Sequence, residues 1–442
     1  MASKELRQAQ TELQVLLKSK HLMTEMQAFK SFDFMERLRR EVRTPNGSKV
    51  SFTDRAVKSF ECLISITAGT LPSKGLVESG DIAQAYKSVL GRWYEEGVPG
   101  DVSLFLDEVE LVLTQSIRVH EFYSALSGLD LKGFDDFKLG SVVVQKPCRE
   151  LVESCVAQDA VADLTWRETS YGLWLSTQIK GSSSCAERRF FELAKLTCGL
   201  LAIAFTLGLG RGGAVVRFIP GLEGRYKPGA ITWFSVEATT RELNLKTSFD
   251  GVQRLELTQE FASFLQDSDW FPELVRISQL DAGNDAEQAL RRALYWYFDA
   301  QADTSLEMKF IKYWSCIECM FSVGLTKVTQ RIKKGVTGLL CYGGYQYSKP
   351  EDLQSLAVRV GKLYQLRCDA VHDAKHDHVG FHDVVDVSKW AAVVVIEVSM
   401  MISLGMDKRT QLKEQIDRFH EYHAATKFKA TYRHFESRFS GR

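Results

Sequence analysis

Four side chains in the C-terminal half could act together: Arg367, Asp369 and His372 in Leu363-Tyr-Gln-Leu-Arg-Cys-Asp-Ala-Val-His372, and Glu318 in Phe310-Ile-Lys-Tyr-Trp-Ser-Cys-Ile-Glu318-Cys-Met-Phe. An imidazole is the side chain best suited to moving protons near neutral pH, and a guanidinium binds anions through a fork of donors. Spacing limits how they can cooperate. Residues i and i+5 lie about 140° apart on an ideal helix. Arg367 and His372 can therefore share a pocket only if the helix ends between them or a second subunit closes the site. The plainer alternative is an Arg and a His stationed at a helix C-terminus, where the dipole favours cations. Glu318 is a single carboxylate inside an apolar stripe, expensive to bury unless paired. Arg367 is the cation available on a neighbouring helix, so contact at hydrogen-bonding distance is expected.

The elements that must position these groups lie in residues 280–406, which read as a four-helix up-down bundle. The first helix starts at Asn284-Asp285 and puts Ala286, Leu290, Ala293, Leu294 and Tyr297 on one face. The second carries Phe310, Tyr313, Trp314, Ile317 and Phe321 at helical spacing. Ser348-Lys-Pro-Glu351 reads as a capping box opening the third, and the fourth runs from about Val387 to Leu404, stopping at Gly405.

Upstream, residues 1–125 read as helical, with Val102 to Tyr123 one amphipathic stretch and Pro45-Asn46-Gly47 and Val98-Pro99-Gly100 as breakers. Residues 126–279 read as a mixed α/β domain suited to sensing or regulation. Its β-like runs are Ser141–Val144, Ala214–Phe218, Ile231–Val236 and Leu243–Thr247, interrupted by a helix over roughly Ala186 to Leu207. The tail, 407–442, holds nine Lys/Arg against five Asp/Glu, with six aromatics interleaved. Packing of those aromatics on the protein itself is preferred over stacking on bases. The expected fold is multidomain α+β.

With 442 residues, 45% hydrophobic, there is ample apolar material for more than one core, which excludes global disorder. Lys plus Arg (56) and Asp plus Glu (56) cancel, which excludes polyanion binding by bulk charge. Nine irregularly spaced cysteines read as reduced thiols, and Leu196–Leu209 and Ala391–Met406, the latter holding Glu397, read as buried helices. A soluble, cytoplasmic protein with no membrane partner is expected.

The aromatic–Trp–x2–Ile–Glu helix, followed by Leu-Tyr-x-Leu-Arg-x4-His and a long apolar final helix, resembles a HEPN domain. The likeness is nearest to the ApeA-like HEPN proteins of bacterial anti-phage, or abortive-infection, defence. It covers about 280–406 and is looser upstream, at Phe122–Leu129 and Leu201–Gly213. The resemblance implies a C-terminal HEPN bundle forming a homodimer, with a metal-independent endoribonuclease site between the two copies and no cofactor. Carried onto this chain, His372 is the general acid/base and Arg367 binds the scissile phosphate of an RNA substrate, with Glu318 and Asp369 completing the site. The adjacent 2′-OH attacks, leaving 2′,3′-cyclic phosphate ends. The role implied is that of a toxin-like antiviral effector answering a phage-derived trigger. The alternative is an inactive HEPN dimer serving as a binding or scaffold module for a protein or nucleic acid. In the family a polar residue, often Asn, usually follows the Arg; here Cys368 does, then Asp369.

Lys327, Arg331, Lys333 and Lys334 could guide an RNA backbone, or simply form a solvated helix face. His372, Asp373, His376, His378 and His382 read as a solvated loop, and no metal site is expected there or at Cys316-x-x-Cys319. Gly208–Gly213 follows a helix and precedes a strand, the reverse of a phosphate loop, and reads as a turn.

Overall fold

The computed structural model describes residues 3–97, 100–155, 158–208, 210, 216–222, 230–236, 243–249, 254–322, 328–372 and 378–424. Among them the chain is a mixed α+β protein that divides into two compact units. One holds the residues up to Glu121 together with Gln178–Phe190; the other holds Phe122–Thr177 and the described residues from Phe191 onward.

The first unit contains α1 (Ser3–Leu16), β1 (Leu22–Thr24), α2 (Glu25–Ser31), α3 (Phe34–Arg40), β2 (Glu41–Arg43), β3 (Lys49–Phe52), α4 (Asp54–Thr67), α5 (Ser79–Glu96) and α6 (Val102–Ser116). The all-helical expectation fails here. The strands form an antiparallel sheet in the order β1-β3-β2, each too short to show alternation. Pro45-Asn46-Gly47 is the hairpin turn between β2 and β3, closed by Gly47 N–H donating to the Thr44 carbonyl at 3.0 Å. The stretch from Val102 is helical only to Ser116; β4 (Arg118–Ser127) follows. Tyr86 and Trp93 meet Phe105 edge-on, each at 5.3 Å. A Cβ on Gly91 would run into the carbonyl oxygen of Arg43, so only glycine lets α5 approach β2 this closely.

The chain continues with β5 (Leu129–Lys132), β6 (Asp136–Leu139), β7 (Val142–Gln145), α7 (Arg149–Cys155), α8 (Asp159–Thr169), β8 (Leu173–Gly181), α9 (Ser183–Gly208) and β9 (Ile219–Pro220), the second unit holding all of these except the end of β8 from Gln178 and the start of α9 up to Phe190. Then come β10 (Ala230–Val236), β11 (Leu243–Phe249), β12 (Leu255–Thr258), α10 (Gln259–Asp267) and α11 (Phe271–Ser278). One sheet has the order β6-β7-β8-β4-β9; β10 and β11 pair antiparallel, and β12 pairs with β5 in parallel. Of the run expected at Ala214–Phe218, residues 214 and 215 lie outside the described residues and 216–218 are irregular. Helix α9 is long and apolar enough by composition to cross a membrane, but most of it is buried within the protein, as a core helix is.

The bundle follows: α12 (Asp285–Ala302), α13 (Leu306–Phe321), α14 (Val328–Tyr342), α15 (Leu353–His372), α16 (Phe381–Ser403) and α17 (Arg409–Ala424). Among the described residues five α-helices, not four, lie between 280 and 406. The unexpected one is α14, whose Gly335 and Gly338 argue against a helix by propensity. Packing explains both glycines. A Cβ on Gly335 would come within 2.7 Å of the Phe321 ring, and one on Gly338 within 3.3 Å of Ile416 and His420. The capping box at Ser348 is absent, because the Ser348 N–H donates to the Leu340 carbonyl and a 3-10 turn, Pro350–Asp352, opens α15. Helix α16 starts six residues before Val387 and is buried on every side in its middle, with Ala391 through Ile396 fully covered. Phe419 of α17 is buried and stacks on Tyr342, while Phe428, Tyr432, Phe435 and Phe439 lie outside the described residues.

Candidate active site

Helices α13 and α15 lie in contact, and α16 packs along α13. Trp314 fills the space between them, edge-on to Tyr364 at 5.2 Å and to Trp390 at 6.3 Å. One turn further along α13, Glu318 faces α15 and accepts two hydrogen bonds. The Tyr364 hydroxyl donates to Oε1 at 2.9 Å, and Arg367 Nη2 donates to Oε2 at 2.8 Å. Tyr364 and Arg367 are three residues apart, so one helix face presents both. The expected contact between Glu318 and Arg367 is therefore present. Both side chains are less than a fifth exposed, 18% and 16%.

Burial comes first, and the Glu318 charge second, in pushing the Tyr364 phenol well above its ordinary value; it stays a neutral donor. The guanidinium carbon of Arg367 lies 5.8 Å from the centre of the Tyr364 ring. Its Nε is buried without a hydrogen-bond partner. Charge-assisted hydrogen bonds are worth about 1.5–3 kcal/mol each, so Glu318 fixes the guanidinium in one place.

His372 is the last residue of α15 and is exposed. The helix does not end between Arg367 and His372, which removes the first of the two ways they could share a pocket. Arg367 turns into the bundle towards Glu318, and His372, about 140° around and roughly 7.5 Å along the axis, stands in solvent. Asp369 is engaged elsewhere on the same helix, accepting from Gln365 Nε2 at 2.7 Å. Cys368 beside it is half-buried, and burial pushes its thiol up.

Of the four basic residues, the three that are described do not form one track. Lys327 lies outside the described residues. Lys333 extends past Gly361 of α15, whereas Arg331 and Lys334 line a cleft against α17, where Lys334 Nζ meets Asp417 at 2.6 Å. Asp373 and His376 also lie outside the described residues, and among the described residues no three His, Cys, Asp or Glu side chains gather to hold a metal.

Comparison with family models, curated proteins and solved structures gives no match.

Two features went unassigned in the sequence. Tyr364 sits inside the quoted motif, and its spacing to Arg367 could have marked it as a second donor to Glu318. Glu397 lies in the middle of α16, 2% exposed, and accepts backbone N–H bonds from Gly344 at 2.9 Å and Tyr345 at 2.6 Å. The signal was one acid within Val393-Val-Val-Ile-Glu-Val398.

Proposed function

We propose that the chain is a metal-independent endoribonuclease of the HEPN type, acting as a homodimer. The observation that supports this most is the cluster of Glu318, Tyr364 and Arg367, which holds a guanidinium rigidly on the helix that ends in an exposed histidine. Glu318 and Tyr364 position; Arg367 and His372 do the chemistry. Because α15 is continuous, the two working groups meet on one phosphodiester only when a second copy is added, Arg367 of one facing His372 of the other.

In the reaction, one imidazole takes the proton of the ribose 2′-OH as O2′ attacks phosphorus. The bond from phosphorus to O5′ breaks, and the departing oxygen takes a proton from the imidazolium so formed. A 2′,3′-cyclic phosphate and a 5′-OH remain, and DNA, lacking the nucleophile, is spared. Proton transfer of this kind is worth roughly 10²–10⁴-fold, and the guanidinium meets the negative charge that builds on the phosphate oxygens. Such an enzyme fits a cytoplasmic abortive-infection effector whose other unit answers a phage-derived trigger.

One observation favours a second reading, an inactive HEPN dimer acting as a scaffold: Arg367 already has a carboxylate partner and is mostly covered. Incubating the purified chain, and an Arg367→Ala/His372→Ala variant, with RNA and EDTA separates the two. Cutting by the intact chain alone, with cyclic phosphate ends, supports the enzyme. Equal silence or equal cutting leaves the scaffold.

A further inference from the structure

A cleft of about 340 Å³ lies where the end of α13 meets α14 and the start of α17. Its size is in the range that takes small organic ligands. The floor is apolar: Met320, Phe321 and Ile416, all buried. The floor also depends on a glycine, since only the missing Cβ of Gly335 leaves room for the Phe321 ring against α14.

The walls are cationic. Arg331 and Lys334 enter from α14, and Arg409 and Lys413 from α17. Among the described lining residues one carboxylate stands against these four, Asp417, which meets Lys334 at 2.6 Å and Lys413 at 3.6 Å. Arg409 is held from outside the cleft by Asp285, at 2.9 Å from its terminal nitrogen. Asp417 stays ionised: although burial opposes this, Lys334 and Lys413 draw its carboxyl below the usual range. A positive excess around an apolar floor selects for a ligand carrying negative charge at one end and an apolar or planar body at the other.

We propose that this cleft binds a small phosphoester, its phosphate held by Arg331 and Lys413 and its planar body lying on Phe321. A free mononucleotide and a nucleotide within an RNA strand share that chemistry. The proposal stands on the cleft alone and holds whether or not the chain cuts RNA.

The test is calorimetric titration of the full chain with adenosine 5′-monophosphate, inorganic phosphate and adenosine, repeated on Arg331→Gln/Lys413→Gln. Both positions reach the surface, so a thermal melt confirms that the variant is folded. The monophosphate binds saturably, more tightly than phosphate and far more tightly than adenosine, and the variant weakens it by roughly tenfold or more, the loss of at least one charge-assisted contact. Displacement by a short single-stranded RNA identifies the strand as the source, and failure to displace identifies the free nucleotide. Absence of saturable monophosphate binding by the folded chain, or unchanged affinity in the folded variant, overturns the proposal.

Discussion

Two glutamates of the same bundle, Glu318 half-buried and Glu397 buried, are treated differently by their surroundings. Glu318 on α13 meets a guanidinium and a phenol. Among the described residues Glu397 on α16 meets only two backbone N–H groups, of Gly344 and Tyr345, where a Cβ on Gly343 would collide with its carboxylate. Burial drives the Glu397 carboxyl up to about 7, and the two N–H bonds only partly oppose that. The contrast shows what a charged partner does. Glu318 has one, and becomes an anchor that orients Arg367. Glu397 lacks one, and becomes a pH-sensitive tie holding the turn after α14.

The comparison breaks most visibly at Arg367. Arg367→Ala strands the Glu318 carboxylate, so unfolding free energy falls by about 3–5 kcal/mol in denaturant titration, and RNA cleavage disappears with it. Adding Glu318→Gln returns much of the stability, since the stranded charge is gone, but none of the cleavage.

His372→Ala separates chemistry from stability. The side chain is exposed, so the melting temperature stays put while initial cleavage rates fall roughly 10²–10⁴-fold. An unchanged rate would return His372 to the role of a simple helix-end cation.

Glu397 sets the third effect, through its pH dependence. The folded protein holds the Glu397 proton more tightly than the unfolded chain, whose ordinary value is 4.5. Its contribution is therefore fully present below about pH 4.5 and is lost as pH rises through about 7, a decline on the order of 3 kcal/mol. Stability curves from pH 4 to 8 reveal it by difference: Glu397→Gln is less stable at low pH, because its NH₂ faces a backbone donor, but lacks this component of the decline.

The smallest effect belongs to the floor of the basic cleft. Gly335→Ala pushes the Phe321 ring aside and lowers stability by about 1–3 kcal/mol, read as a shift in the denaturant midpoint.

Long periodic segments were legible from residues alone. The buried faces of α12 and α13, the length of α9 and the stop at Gly405 all follow from apolar spacing and one left-handed glycine, with φ +91°. Helix α14 was not legible, because its glycines disfavour a helix locally and are justified only by Phe321, Ile416 and His420 arriving from elsewhere. The strands at Leu22–Thr24 and Glu41–Arg43 were hidden because three residues carry no period. At the candidate site, the meeting of Glu318 and Arg367 could be anticipated, since a lone acid in an apolar stripe needs a cation. That α15 continues through His372 could not, because nothing between Arg367 and His372 either breaks or requires a helix. The basic cleft was equally hidden, being assembled from α14 and α17, some 80 residues apart.

The central claim is that Arg367 of one copy and His372 of another act on the same phosphodiester. Mixing two silent proteins, Arg367→Lys and His372→Ala, tests it directly, because Lys keeps the charge but not the fork that grips phosphate. If subunits exchange freely, half the dimers are mixed and each has one intact site of two, so the account predicts that the mixture regains about a quarter of the original cleavage rate. A mixture that exchanges subunits and stays as silent as its components, while the unaltered chain cuts RNA, would contradict it.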